Sequence, residues 1–289
     1  MAALASALVW GVATVLFTLA IRKGGKIEHA VLLKNLLGAT LLGGLAWFGG
    51  ESWGGGEAGL GNLSWLLLSG FLGLALGDFL YFYALARIGV ARTLILLQLV
   101  PVVTAALAWV FLSETLNRSQ CLGALLVVAG GILARSPKSQ RNRADALGYA
   151  AAFICVLLFA VANLLTHYGM TETGVLTAAS WRLAAGALGA VGIGFARHKG
   201  LILLKSTIQA TTWRSFFWPS IFGTCLGMGL FTAGLKFAKQ GVAASMAAAT
   251  PLISIPLAYW ILGEKPNQRS WLGAILVLIG VAVMAIASI

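Results

Sequence analysis

A single carboxylate interrupts an otherwise apolar stretch of the sequence, LGLALGDFLYFYAL at residues 72–85. Tyr81 and Phe82 follow Asp78 by about one helical turn, so in a helix the carboxylate and the aromatic rings share a face. A carboxylate in such a segment can titrate a proton or bind an ammonium group. The alternative is structural: Asp78 is then a buried polar residue that bonds to a neighbouring helix, with Lys236 as the candidate partner.

Prolines interrupt two of the apolar runs near their middle. Pro101 and Pro251 stand in the middle of two runs, and Pro256 adds a second interruption to the later run. A proline inside a helix frees a backbone carbonyl and kinks the helix. Gln98 lies about one turn before Pro101 and can present its amide beside the break. Such breaks either lie at a solute site or only shape its wall.

An aromatic residue and a small polar residue recur one turn apart at two places. Trp10 and Thr14 share a predicted helix face, and Phe159 and Asn163 repeat the pattern. Such pairs can line a small-molecule cavity, where they combine apolar contact with a hydrogen bond. The alternative for Trp10 is an anchor at the membrane interface, where tryptophan is common near helix ends.

The sequence lacks the short motifs of several enzyme classes. It has no Walker loop, dinucleotide-binding glycine motif, HExxH zinc motif or nucleophile elbow. Its cysteines, Cys121, Cys155 and Cys225, are odd in number and lack the spacing of metal ligands. We therefore expect no enzymatic activity, no cofactor and no metal.

Charged residues near the ends of the apolar runs favour structural interpretations. Lys34 and Arg182 fall near the starts of two runs, from which their side chains can reach the membrane interface. Glu114 and Glu264 follow two other runs and are expected to form turns or to cap the following helices. Because no cation cluster is predicted inside the helices, phosphate and nucleotide-sugar solutes are disfavoured.

The composition indicates that a lipid bilayer surrounds this chain. Of its 289 residues 60% are hydrophobic and 10% are charged, against about 25% charged residues in soluble proteins. The net charge of +12 resides mainly between apolar runs, which fits lipid headgroups better than nucleic acid. We therefore expect a multi-pass membrane protein that contacts lipids and binds no nucleic acid. We further expect its membrane to be the cytoplasmic membrane of a bacterium or archaeon.

Ten apolar runs predict membrane-spanning helices, since a span needs about 20 mainly apolar residues. A charged, proline-containing linker divides the runs five and five. The distribution of Lys and Arg between the runs favours both termini outside the cell. The runs are 2–21, 30–49, 63–86, 91–112, 119–135, 146–167, 175–196, 215–238, 241–262 and 270–288.

An internal repeat relates the two halves, because residues 73–134 align with 223–284 without a gap. A unit of five spans is odd, so its second copy crosses the membrane in the opposite sense, as in many transporters. We predict an all-α integral membrane fold with ten transmembrane helices in two inverted five-helix repeats, 1–135 and 146–289, joined by a linker at 136–145. The matched pairs include Gly73/Gly223, Gly77/Gly227, Pro101/Pro251, Glu114/Glu264 and Asn117/Asn267.

Several segments resemble the EamA-type members of the drug/metabolite transporter superfamily. They are GDFLYFYALARIGVARTLILLQLVPVVTAALAWVFLSETL, LGALLVVAGGILA and ATPLISIPLAYWILGEKPNQRSWLGAILVLIGVAVMA. The opening ALVWG is similar to the family's first-helix tryptophan-glycine pair. The resemblance implies a central cavity and secondary transport, often export, of amino acids or other small metabolites. A non-transporting membrane partner subunit is the alternative, and a membrane-embedded enzyme is a weaker one.

On this hypothesis alternating access rocks helices 1–4 and 6–9 around the cavity, while helices 5 and 10 are peripheral. Asp78 is the expected site of proton coupling or of a substrate ammonium. The candidate residues for binding the small-molecule solute or for coupling are Asp78, Tyr81, Gln98, Trp10, Thr14 and Asn163, with Pro101, Pro251 and Pro256 shaping the cavity.

Overall fold

The computed structural model describes most of the chain, and every regular element in the described part is a helix. Glu114, most of the predicted linker and the first part of the predicted ninth run lie outside the described residues. The described ranges are 2–53, 59–113, 117–134, 143–171, 173–196, 210–237, 246–247, 249–265 and 268–286.

We number the helices in chain order. For α3 and α8 the bounds are those of the apolar part, and each of these two helices begins a few residues earlier. The bounds are α1 Ala2–Arg22, α2 Ile27–Phe48, α3 Gly61–Ile88, α4 Val90–Leu112, α5 Arg118–Ala134, α6 Arg143–Gly169, α7 Val175–Ala196, α8 Trp213–Phe237, α9 Pro251–Leu262 and α10 Gln268–Ile286.

Within the described ranges, seven helices are long and apolar enough to cross a membrane: α1 to α4 and α6 to α8. The apolar parts of α5, α9 and α10 are shorter. Large apolar side chains such as Leu188 and Trp260 are 71% and 75% exposed, and such side chains suit a hydrocarbon solvent rather than water. The prediction of an all-helical, multi-pass membrane protein is confirmed.

The chain widens into π-helix at two corresponding places, which the sequence did not predict. Residues Gly70–Gly77 of α3 and Ser220–Leu226 of α8 are π-helical, and their starts are 150 residues apart. Such stretches are uncommon and often occur near functional sites. In α3 the π-helical stretch ends directly before Asp78, so it helps to set the direction of that side chain.

Small residues allow the helices to approach closely around these stretches. A Cβ on Gly73 would lie 2.9 Å from the Cβ of Ala162 in α6, and Gly223 abuts Ala13 of α1. The close approach of helix backbones at small residues is typical of membrane helix packing. Gly73 therefore lets α3 pack closely on α6, and Gly223 lets α8 pack closely on α1.

The prolines singled out from the sequence act differently in α4 and α9. α4 is interrupted at Gln98, between Val90–Leu97 and Leu99–Leu112, three residues before Pro101. Pro251, in contrast, is the first residue of α9 as the structure describes it, rather than a kink inside that helix. A proline fits this position because the N–H groups in the first turn of a helix have no partner within the helix, so the absence of an N–H on proline costs nothing there.

Glu264 connects the start of α4 to the end of α1. Its carboxylate accepts the N–H of Val90, at 3.0 Å from each oxygen, and that of Ala91 at 3.3 Å. It also forms an ion pair with Arg22, the last residue of α1. Glu264 therefore caps α4, which lies far away in sequence, whereas we expected Glu264 to form a turn or to cap the following helix. Gly89, with φ of 83°, allows the carboxylate to approach the start of α4.

Replacing Glu264 with alanine is expected to lower the free energy of unfolding by about 1–2 kcal/mol, the usual cost of a lost helix cap. Arg22→Gln should cost less than about 1 kcal/mol, because its partly exposed ion pair is weaker. Unfolding by denaturing detergent measures both. An equal loss in the two variants would show that capping of α4 contributes nothing.

Candidate functional site

A cavity of about 210 Å³ lies in the centre of the bundle. Its described walls come from α1, α2, α3, α4, α6, α7 and α8 and from the residues just before α9. The volume is below the roughly 300–1,000 Å³ of pockets for drug-sized ligands.

Most of the residues singled out from the sequence come together at this cavity. Pro251 and Pro256 are not among the described residues that line it. The predicted residues that line it are Trp10, Thr14, Asp78, Tyr81, Gln98, Pro101 and Asn163.

Aromatic side chains from both halves of the chain form much of the wall. The hydroxyl groups of Thr14 and Tyr81 are hydrogen-bonded at 2.8 Å, which joins α1 to α3. The rings of Trp10 and Phe231 lie 5.0 Å apart, and those of Tyr81 and Phe159 lie 6.4 Å apart. Trp10 therefore faces the inside of the bundle and is not an anchor at the membrane interface.

Asp78 is paired with a cation that was expected at the membrane interface. Its Oδ2 lies 2.5 Å from Nζ of Lys34, and both side chains are buried, with residue exposures of 7% and 5%. The suggested partner Lys236 instead donates a hydrogen bond to the backbone oxygen of Thr173 at 2.6 Å. Asp78 thus bonds across to a neighbouring helix, but the partner helix is α2.

The side chains of Lys34 and Arg182 do not extend to the membrane interface, so the expectation of an interfacial position was wrong. Each is the eighth residue of a 22-residue helix, α2 or α7, roughly 10 Å inside at 1.5 Å per residue. Arg182 is only 3% exposed, and both side chains line the cavity. The argument against anionic solutes, which relied on an interior without cations, therefore fails.

The contacts of Arg182 hold its guanidinium in place without neutralising it. Nε donates to the hydroxyl of Ser69 at 3.0 Å, and Nη1 lies 3.9 Å from the sulfur of Met228. Ser69 is itself fixed by a 2.7 Å hydrogen bond to Thr166 in α6. Within the described residues, Arg182 forms no ion pair within 4.0 Å.

Gln98 places an acceptor in the cavity at the break of α4. Its Nε2 donates to the backbone oxygen of Leu94 at 3.3 Å. Its Oε1 is buried and has no hydrogen-bond partner in the described part of the protein. A buried amide oxygen without a partner is costly, so this atom is available to a solute donor.

No group of residues suited to a metal ion occurs in the described ranges. The titratable side chains that line the cavity are instead Lys34, Asp78, Tyr81 and Arg182. This arrangement can bind and orient a charged solute.

Sequence reasoning missed the two buried cations. The signal was present: α2 and α7 have equal lengths, and Lys34 and Arg182 occupy the same position in each, 148 residues apart. A basic residue at matching places in two apolar helices indicates an inward-facing function, because a charge inside a bilayer is expensive.

Several apolar helices that enclose a central cavity with buried charges define a multi-pass membrane protein. The chain belongs to the EamA-like transporter family, whose model matches residues 1–136 and 146–286. The family predicted from the sequence is thereby confirmed, and it indicates a membrane transporter rather than an enzyme.

Two individual proteins illustrate the similarity. An uncharacterized transporter, YwfM of Bacillus subtilis (strain 168), is 27% identical over 224 residues, which cover 72% of this chain and 69% of the relative. A protein of known crystal structure has a TM-score of 0.68 at 19% identity, covering 98% of this chain and 97% of that chain. The second similarity concerns the fold alone.

Proposed function

We propose that this protein is a secondary transporter, operating as an exporter, of small metabolites such as amino acids. The observation that carries the proposal is the central cavity with the buried charges of Lys34, Asp78 and Arg182 inside an apolar bundle. Charged residues within a membrane are costly and usually face a cavity where they act on a solute or an ion. Membership of a transporter family supports the same conclusion.

The proposed architecture is ten transmembrane helices in two inverted repeats, 1–135 and 146–289, joined by the linker at 136–145. Reciprocal contacts between α5 and α10 support it. A Cβ on Gly130 would lie 2.6 Å from the oxygen of Gly273, and one on Gly280 would lie 2.6 Å from the oxygen of Gly123. Gly130 and Gly280 are 150 residues apart, and so are Gly123 and Gly273. The two contacts are therefore equivalent, as expected for two repeats related by a two-fold axis.

The cavity wall supplies a second reciprocal pair. A Cβ on Gly77 of α3 would lie 2.8 Å from the ring of Phe159 in α6, and Gly227 of α8 abuts the ring of Trp10 in α1 in the corresponding way. Two aromatic residues thus approach the cavity from related directions. This relation supports a solute site at the junction of the two repeats.

Alternating access is proposed to rock α1 to α4 and α6 to α9 around the cavity. The helices α5 and α10 pack on each other and contribute none of the described residues that line the cavity. Movement around the cavity therefore does not require the α5–α10 contact to break. We place the protein in the cytoplasmic membrane of a bacterium or archaeon with both termini outside.

Asp78 is the proposed coupling group for protons. The charged and titratable groups around it are Lys34, Arg182, Tyr81 and Cys155. Protonation of Asp78 would break its ion pair and free Lys34 to bind a solute. The ion pair between Lys34 and Asp78 would then link proton binding to solute binding.

The test uses proteoliposomes that contain a pH-sensitive dye and a panel of amino acids, amines and nucleosides. We expect proton movement with one class of solute, and its loss in Asp78→Asn. The double variant Lys34→Gln/Asp78→Asn is the control for folding, because it leaves no unpaired charge of the original ion pair. Solute flux without a pH signal, equal in wild type and Asp78→Asn, would overturn the coupling function. Absence of flux for every solute would favour a partner subunit.

A further inference from the structure

We propose that the cavity binds the carboxylate of a small monocarboxylate solute between Arg182 and Lys34, and that Asp78 is the internal anion with which this carboxylate competes. The inference rests on the proposed transport function and names the class of its substrate. It depends on the geometry and the charges of the cavity. Such a solute carries one negative charge and an apolar body.

The first step is the charge of the cavity. Among the described residues that line it, the ionisable acids and bases are Lys34, Arg182 and Asp78, apart from the phenol of Tyr81. With all three ionised, the cavity carries one net positive charge. Asp78 lies against Lys34 at 2.5 Å, so the uncompensated charge resides on the side of Arg182. A buried cation without a counter-ion is unfavourable, and a solute anion would remove that cost.

The second step is the geometry of Arg182. Ser69 holds its Nε, which fixes the plane of the guanidinium. Nη1 extends to Met228, which itself lines the cavity. The outer edge of the guanidinium is therefore on the cavity side. A planar guanidinium matches a carboxylate with two parallel hydrogen bonds, which an ammonium group cannot reproduce.

The third step concerns Lys34, whose Nζ contacts both Asp78 and the Oδ1 of Asn35, the latter at 2.9 Å. A solute carboxylate that reaches Nζ would compete with Asp78 for the same ammonium group. Binding of the solute carboxylate to Lys34 would therefore displace Asp78 from Lys34. Each of the two cations is the eighth residue of its helix, α2 or α7, so each half of the chain supplies one of them.

The fourth step selects the class of anion. One net positive charge is neutralised by a monoanion, whereas a doubly charged phosphate would leave a buried excess of negative charge. The remaining wall is largely aromatic and aliphatic, with Trp10, Phe159 and Phe231 among its residues. The cavity volume of about 210 Å³ limits the apolar body to about the size of one aromatic side chain.

The test compares four ligands with the same phenylpropyl or closely related body: 3-phenylpropanoate, L-phenylalanine, 3-phenylpropanamide and 3-phenylpropylamine. Dissociation constants are measured by calorimetry on the purified protein in lipid nanodiscs. We expect 3-phenylpropanoate to bind at least tenfold more tightly than the amide. L-phenylalanine should bind less tightly than 3-phenylpropanoate, because its ammonium group offsets the charge of its carboxylate, and the amine should bind most weakly. Equal binding of the four, a preference for the amine, or no binding of either carboxylate would overturn the inference.

Two variants give opposite expected results. Arg182→Gln should weaken binding of 3-phenylpropanoate at least tenfold and leave binding of the amide unchanged. The control is Arg269→Gln, which removes an exposed arginine and should leave binding of both ligands unchanged. Asp78→Asn removes the competing anion and should tighten carboxylate binding several-fold. This variant still tests the inference if Arg182→Gln does not fold. Weaker carboxylate binding in Asp78→Asn would overturn the proposed competition.

Counterflow in proteoliposomes separates this inference from the proposed function. Carboxylate binding that depends on Arg182, without exchange of labelled solute across the membrane, would remove the transport function and leave the binding site. Exchange of amines or neutral solutes that is insensitive to Arg182→Gln would remove the carboxylate site and leave the transporter.

Discussion

Replacing Lys34 with methionine is expected to lower the free energy of unfolding by about 3–5 kcal/mol, the usual cost of removing one partner of a buried ion pair. The variant leaves the Asp78 carboxylate buried without the ammonium group that now lies 2.5 Å away. Titration with denaturing detergent measures this loss, and the yield of monodisperse protein should fall with it.

Two controls separate the ion pair from a general loss of positive charge. Lys23→Met changes an exposed lysine just after α1 and should alter stability by less than about 0.5 kcal/mol. The double variant Lys34→Met/Asp78→Leu replaces the pair with apolar groups and should recover most of the lost stability. A double variant as unstable as Lys34→Met would contradict the account of the pair.

Replacing Gly70 with alanine is expected to cost about 3 kcal/mol, at the upper end for overpacking in a well-packed interior. The new Cβ would overlap the backbone oxygen of Arg182 and lie 2.7 Å from its carbonyl carbon. Backbone cannot rotate away as a side chain can, so α3 and α7 must separate. The thermal unfolding midpoint in detergent measures the effect.

Gly61 in the same helix is the matched control, because a Cβ there would meet nothing within 4 Å. Gly61→Ala should be neutral or slightly stabilising, since alanine favours a helix over glycine by roughly 0.5–1 kcal/mol. Gly70→Ala should also weaken solute binding, because Arg182 moves with α7. Equal stability of the two alanine variants would contradict the close packing of α3 against α7.

The sequence was sufficient to predict the class of fold and several candidate residues of the cavity. Long apolar runs with few charges require helices in a bilayer, which predicts the all-helical architecture. The spacing of Trp10 with Thr14 and of Asp78 with Tyr81 follows the helical period, so each pair could be placed on one face. The repeat then indicated that faces from both halves meet.

The partners of the charged residues could not be predicted in the same way. Whether Lys34 turns towards the interface or towards Asp78 depends on the rotation of α2 about its axis, which helix packing determines. The same limit applied to Glu264, whose partner α4 is distant in sequence. The π-helical stretches before Asp78 and Met228 also change the direction of side chains without a clear sequence signal.

The central claim, that the cavity is the path of a solute across the membrane, is tested by the accessibility of one engineered thiol. Val100 lines the cavity, and Val100→Cys is introduced after the native cysteines Cys121, Cys155 and Cys225 have been replaced. A membrane-impermeant thiol reagent is then applied to right-side-out and to inside-out vesicles, with Leu188→Cys on the exposed apolar surface as the control.

The account predicts that Cys at position 100 reacts from both sides and that Cys at position 188 reacts from neither. Reaction of the cavity thiol from one side only, or from neither, would contradict alternating access.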